Sequence, residues 1–270
     1  MALYKIGNKM LIAEGRILGT EGSIVKLDKT IFNPASKVLR SLGTGERAIF
    51  IIRHSNRDFD KTSQDTPINT YGIANAQLVG TRLKVASISE NDIYCGATDT
   101  RRTCETAYVI TNSRGDTTYT AWTDINSVDT WESKPDNKDE ALSYLNSSNF
   151  GTDGKPWPDI LNTARATLQT VGASVTSSAI SHTASKSKRL SLLVTHDAYV
   201  VPYIAYASGI KEGEGATAVY NIEIIPPNEM VVEWVNYMSG VAIIVNADGT
   251  LKELYPIKCL DSGTSKQQYY

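Results

Sequence analysis

Residues 48–57 read AIFIIRHSNR, five apolar residues followed at once by two arginines and a histidine within five positions. The turn signal SLGTGER precedes the run, and a short continuous apolar segment of this kind is the pattern of a strand buried on both faces. Solubility alone does not ask for such a charged cluster at a strand end, because any Lys, Glu or Ser would serve. A second segment ends in the same way, with LSLLV followed by Thr195, His196 and Asp197. The chain holds three histidines, and two of them fall at these two strand ends. In a parallel α/β sheet both carboxyl ends open on one crevice, which is where ligands bind.

Working outward, a polar loop DFDKTSQDTP leads to INTYGIANAQLVGTRLKVAS, which places Ile73, Ala76, Leu78, Val79 and Leu83 roughly on one face of a helix. NDIYCGATD then reads as a strand, and TRRTCETAYVIT as a helix with Thr100 or Asp99 as its N-cap. Strand, helix, strand, helix predicts parallel strands joined by crossover helices. Residues 112–158 form a long polar and aromatic excursion with a short helix near 138–145, expected to cap the crevice. A long helix is expected from 158 to about 184, and another in DAYVVPYIAYASGI despite Pro202. NADG between two extended segments predicts an antiparallel hairpin near the end. The expected fold is a three-layer α/β/α sandwich with a mostly parallel central sheet over 45–270. Residues 1–44 read as an N-terminal extension of short strands and turns.

Composition narrows the function. With 41% hydrophobic and 21% charged residues the chain is an ordinary globular protein, and a net charge of −2 supplies no global basic field for nucleic acid or a membrane surface. Cys95, Cys104 and Cys259 are too few and too unevenly spaced for a disulfide framework or a paired-cysteine zinc site. No metal and no cofactor is expected, and Cys95 and Cys104 are expected to pack as small apolar residues. No run is apolar enough to span a membrane, and the first residues lack the apolar core of an export signal. A periplasmic or secreted location is expected if such a signal has been removed, and a cytoplasmic one otherwise.

Read together, the motifs are more specific than any one of them. Arg53-His54-Ser55-Asn56-Arg57 has the form RHxxR, and residues 98–107, TDTRRTCETA, have the form S/T-D-x-x-R-T-x-x-T-A. Between them, GIANAQLVGTRL at 72–83 is similar to GxxQAxxLGxxL, with Asn75 where Gln is usual, and His196-Asp197 supplies an HD pair. In this order the set resembles the histidine phosphatase, or phosphoglycerate mutase-like, superfamily. Arg57 and the HD pair look more like its histidine acid phosphatase branch. Ser55 departs from the family pattern, standing where Gly is usual.

The chemistry of the residues agrees with that resemblance. A phosphate monoester is an anion, so attack on it requires charge neutralisation, and the arginine fork donates paired hydrogen bonds to phosphate oxygens. Arg53, Arg57 and Arg102 are the candidate phosphate ligands. A neutral imidazole attacks phosphorus and forms a phosphoramidate that water later cleaves, which makes His54 the expected nucleophile. Its cationic neighbours lower its pKa and favour the attacking form. His196 is expected to donate to the phosphoryl oxygens, and Asp197 takes the general-acid role that the resemblance implies.

Each assignment has a competitor. Arg101 rivals Arg102, although the spacing to Thr103 and Thr106-Ala107 selects Arg102. Asp197 can serve instead as a helix cap, and a mutase-like chain would draw its acid from Asp124, Asp129 or Glu132 in the excursion. His182 reads as an exposed residue. Tyr71, Trp122, Trp131, Trp157 and Tyr199 either line the substrate side or pack as ordinary aromatics. The expected function is hydrolysis of a small phosphate monoester through a phosphohistidine. The alternatives are a phosphomutase and a non-catalytic module that binds a phosphorylated ligand.

Overall fold

The computed structural model describes residues 3–6, 9–12, 16–18, 24–26, 34–57, 66–85, 88–112, 128–131, 157–210 and 237–257. Four short strands come first, β1 (Leu3–Ile6), β2 (Lys9–Ile12), β3 (Arg16–Leu18) and β4 (Ile24–Lys26), paired antiparallel in that order. Helix α1 (Pro34–Ser41) follows, and its Val38 and Leu39 are buried in the main hydrophobic core.

The decisive run forms β5 (Arg47–Arg53), in which every residue from Ala48 to Ile52 has no solvent exposure. Such burial requires cover on both faces, and helices on either side of the sheet provide it. The next elements along the chain are α2 (Thr70–Val85), β6 (Ile93–Ala97) and α3 (Arg101–Asn112). They are joined by β7 (Asp129–Thr130), α4 (Trp157–Ala184), β8 (Leu190–Thr195), α5 (Asp197–Ile210), β9 (Gly240–Val245) and β10 (Leu251–Ile257). The six-stranded sheet has the order β10-β9-β5-β8-β6-β7. Its pairings from β5 through β8 and β6 to β7 are parallel, while β9 pairs antiparallel with both β5 and β10. This mixed sheet with helices around it is the expected α/β architecture.

Strand alternation divides the core. Ala48, Phe50 and Ile52 join Ala76, Val79 and Leu83 of α2 and Ala107 and Ile110 of α3 in one apolar cluster. Ile49 and Ile51 point to the other face, where α4 and α5 pack on each other and touch β5. Each fully buried Ile or Phe contributes about 1.5–3 kcal/mol, so the register of β5 is strongly held and the position of its charged end with it.

Two expectations change. Leu78 was placed on the buried face of α2, but it is 40% exposed. At 100° per residue it lies about 200° from Ala76, whereas Ile73, Ala76, Val79 and Leu83 follow the three- and four-residue spacing of one stripe. The strand β7, inside the excursion, had no periodic signal because it is only two residues long. The NADG hairpin forms as the sequence indicates: Asn246 N–H donates to Thr250 O at 2.8 Å, and Gly249 takes φ +88°. Pro202 lies within α5 and packs where the two helices cross, with its carbonyl oxygen against Gly172 of α4. The helix expected near 138–145 lies outside the described residues.

Candidate active site

Register brings the two histidines together. Arg53 pairs with Thr195 across the parallel strands β5 and β8, so His54 and His196 are the next residue on each. The backbone continues the ladder, with His54 N–H donating to Thr195 O at 2.9 Å, and the two rings meet edge to face at 5.6 Å between centroids. On the other side of β8, Ala97 pairs with Val194, and Thr98 N–H donates to Val194 O at 3.1 Å. The helix α3 begins three residues later and carries Arg102 to the same edge. Thr100 caps it, accepting from Cys104 N–H at 3.1 Å.

His54 is 3% exposed, and its Nδ1 lies 2.7 Å from the carbonyl oxygen of Ser55. A carbonyl only accepts, so Nδ1 carries the proton and Nε2 keeps its lone pair. Burial, followed by the positive charge of Arg53 and by His196, pushes the imidazole pKa well below its usual value. The ring is therefore neutral and nucleophilic at physiological pH.

His196 is held from the α3 side. Arg102 Nη2 lies 3.4 Å from its Nδ1, and Thr98 Oγ1 lies 3.2 Å from its Nε2. A guanidinium only donates, so Nδ1 is the acceptor and the neutral ring shares its Nε2 proton with Thr98. Burial and the charge of Arg102 lower its pKa to about 4.

The arginines give the site its preference for anions. Arg102 is half-buried, and its Nε and Nη1 have no partner among the described residues. Burial and the nearby charges of Arg57 and Arg53 lower its pKa, an electrostatic cost that a bound anion would relieve. Arg57 is held by a backbone bridge to Ile68. Asp197 is the first residue of α5, and its Oδ2 lies 3.3 Å from Arg53 Nη2. Its carboxylate thus faces the arginine cluster from the helix start. The basic residues of the opposite sheet edge behave differently. There a cavity of about 750 Å³ is lined by Arg47, Lys188 and Arg189, among others. These cations are already engaged by Ile180 O, Asn91 O and Leu39 O.

Ser55 is fully buried and tied at both ends. Its N–H donates to Thr106 Oγ1 at 2.9 Å, and its hydroxyl donates to Gly72 O at 2.9 Å. Thr106 in turn donates to Arg102 O at 2.7 Å, so this chain of bonds links the loop after His54 to α3. Glu105, 1% exposed, adds a second tie by accepting from Ile68 N–H and from Arg101 Nε.

The sequence profile of the histidine phosphatase superfamily, branch 1, matches residues 49–236, more than half of the chain. The chain belongs to the histidine phosphatase superfamily. Among solved structures it is similar to a phosphoglycerate mutase from Bacillus anthracis str. Sterne, with 13% identity over 86% of this chain and 96% of that one and a TM-score of 0.45. It is also similar to a phosphoserine phosphatase mutant from Entamoeba histolytica bound to phosphoserine, with 14% identity, 81% and 98% coverage, and a TM-score of 0.42. A mycobacterial glucosyl-3-phosphoglycerate phosphatase shows 13% identity, 80% and 99% coverage, and a TM-score of 0.38. No curated protein matches the sequence.

Within this superfamily member, the structure brings Arg53, His54, Arg57, Arg102, His196 and Asp197 to one edge of the sheet. Arg101 is turned away, in an ion pair with Glu105 at 2.9 Å. Asp129 pairs with Lys186, which precedes β8, whereas His196 follows it. His182, expected to be exposed, is half-buried and lies 3.0 Å from the Tyr94 hydroxyl, because it faces β6 from the last turn of α4. Burial raises the Cys95 thiol to about 12 and raises Cys104 as well, in keeping with packing roles. Tyr199 lies 5.8 Å from His196, ring to ring, while Trp131 is buried beside Gly96 and Tyr71 is 59% exposed. Asp124, Trp122, Glu132 and Cys259 lie outside the described residues, as does the Trp157 side chain.

Three residues of the site carry no role in the sequence reading. Thr98 and Thr106 were visible as motif letters without a function. Tyr237, with its ring 5.6 Å from that of His54, had no local signal at all. It precedes β9, and only the antiparallel insertion of β9 beside β5 brings it there.

Proposed function

We propose that the chain hydrolyses small phosphate monoesters through a phosphohistidine on His54, without a metal. The observation that carries this reading is the buried neutral imidazole of His54, its Nε2 lone pair available, beside Arg102 donors that have no described partner. In the first step Nε2 attacks phosphorus, the bond from phosphorus to the ester oxygen breaks, and Asp197, protonated from solvent once the phosphate has drawn Arg53 away, gives that proton to the leaving oxygen. In the second, water attacks the phosphohistidine, Asp197 takes the water's proton, and orthophosphate leaves with His54 restored. Arg53, Arg57 and Arg102 hold the phosphoryl oxygens throughout. An incoming dianion favours the imidazolium of His196, whose Nδ1 then donates to an oxygen that gains charge in the transition state. Arg53 leaves its pairing with Asp197 for the phosphate, which frees the carboxyl for proton transfer. Arg57 and the His196-Asp197 pair resemble the acid phosphatase branch, whereas the matching profile is that of branch 1, so the pH range of the activity is decided by the assay.

The test is turnover of a generic aryl phosphate in EDTA across pH, with His54→Ala alongside. Metal-independent hydrolysis that disappears in the variant, together with an acid-labile phosphoenzyme in the parent, is the expected result. Labelling without release would assign a phosphomutase. No turnover and no labelling would leave a module that binds phosphorylated ligands and would overturn the hydrolytic reading.

A further inference from the structure

Tyr237 is 3% exposed, and its ring face lies 4.3 Å from the Arg53 guanidinium carbon. The same ring flanks His54 at 5.6 Å, tilted by 47°. His196 approaches His54 from β8, so Tyr237, arriving ahead of β9, covers the opposite flank. The backbone is fitted to this end. Met238 adopts φ +55°, a left-handed conformation uncommon for a side chain of its size, and its N–H donates to Arg53 O at 3.1 Å. Arg53 N–H returns a bond to Ser239 O at 2.9 Å. The turn that aims Tyr237 is therefore fastened to the two residues that Tyr237 covers.

The geometry points to Tyr237 as a positioning residue, which holds the Arg53 guanidinium plane for the phosphoryl group and shields the second flank of His54 from water. It rests on the phosphohistidine reading above, and the profile match ends at residue 236, one position before it. The need for such a residue follows from the competing pull on Arg53. Asp197 draws the same guanidinium at 3.3 Å, and the ring face opposes a shift of the guanidinium plane toward that carboxylate. An aromatic face fixes the plane without occupying any N–H donor.

Orthophosphate binding, measured by calorimetry, and aryl phosphate kinetics provide the test in the full chain. Tyr237→Phe keeps the ring and is expected to bind orthophosphate within about threefold of the parent. Tyr237→Leu is expected to weaken binding about tenfold and to raise KM more than it lowers kcat. In an Arg53→Gln background the same Leu substitution should change affinity less than about twofold, since its effect runs through Arg53. Should Tyr237→Leu prove unfolded by thermal melting, Tyr237→Met fills similar space and carries the same comparison. Parent-like phosphate binding by a folded Leu or Met variant, or an equal loss with and without Arg53, would overturn the inference alone. A parent that neither binds orthophosphate nor turns over an ester overturns the phosphatase reading with it.

Discussion

At the scale of single residues, the site depends on groups that burial keeps in one protonation state. His54 and His196 both have pKa values depressed below the ordinary value of 6.5, His196 to about 4. Protonation therefore favours the unfolded chain. The stability contribution is complete above about pH 6.5 and is lost as pH falls toward 4, by an amount on the order of 2–3 kcal/mol for His196. Melting temperatures from pH 8 to 4.5 should fall accordingly, and His196→Asn should flatten the decline; an unchanged slope in that variant would refute the assignment. Arg102 acts through the fork whose Nε and Nη1 are unpartnered among the described residues. Losing hydrogen bonds from a charged donor costs about 1.5–3 kcal/mol, so Arg102→Ala should lower kcat/KM roughly 10- to 150-fold. Arg102→Lys should recover only part of it, because an ammonium cannot present two parallel donors. Steady-state kinetics on an aryl phosphate measures both.

At the scale of elements, the loop that carries His54 is locked against the first turn of α2. Asn69 caps that helix: its N–H donates to Asn56 O, its backbone oxygen accepts from Ile73 N–H and its side-chain oxygen accepts from Gly72 N–H, each at 2.9 Å. A Cβ on Gly72 would collide with the carbonyl oxygen of Asn56. Gly72→Ala should therefore force the 53–57 loop outward, lowering stability by about 1–3 kcal/mol and kcat/KM by about tenfold. Ser55→Ala removes only the bond to Gly72 O and should cost roughly 1 kcal/mol, with a smaller loss of activity. Denaturant unfolding beside kinetics distinguishes the two, and equal effects would show that the loop is not held by Gly72. The serine that departs from the family's glycine is thus part of a local exchange, in which a side-chain hydroxyl ties the loop to α2.

At the scale of the whole molecule, orthophosphate should stabilise the native chain by mass action, about 2.7 kcal/mol at one hundred times its dissociation constant. That corresponds to a rise in melting temperature of roughly 5–10 °C, which Arg102→Ala should reduce to about half or less. A failure of the parent to respond to phosphate in the millimolar range would count against an anion site at this edge. Much of this arrangement was legible along the chain, because a strand buried on both faces, a crossover helix with its N-cap and a strand-ending His-Asp pair are local patterns with local causes. Periodicity misassigned Leu78, whose burial depends on which stripe the sheet covers, and it could not register a two-residue strand such as β7. By itself, the sequence determined the apolar strands, the charged residues at their ends and the order of the motifs, since these follow from side-chain chemistry and short spacings. Only tertiary structure decided that His54 and His196 stand side by side, that Arg101 turns to Glu105 while Arg102 turns inward, and that Tyr237 covers Arg53. Those choices are set by strand register and by the antiparallel entry of β9, which join residues far apart in the chain through packing that no local pattern encodes.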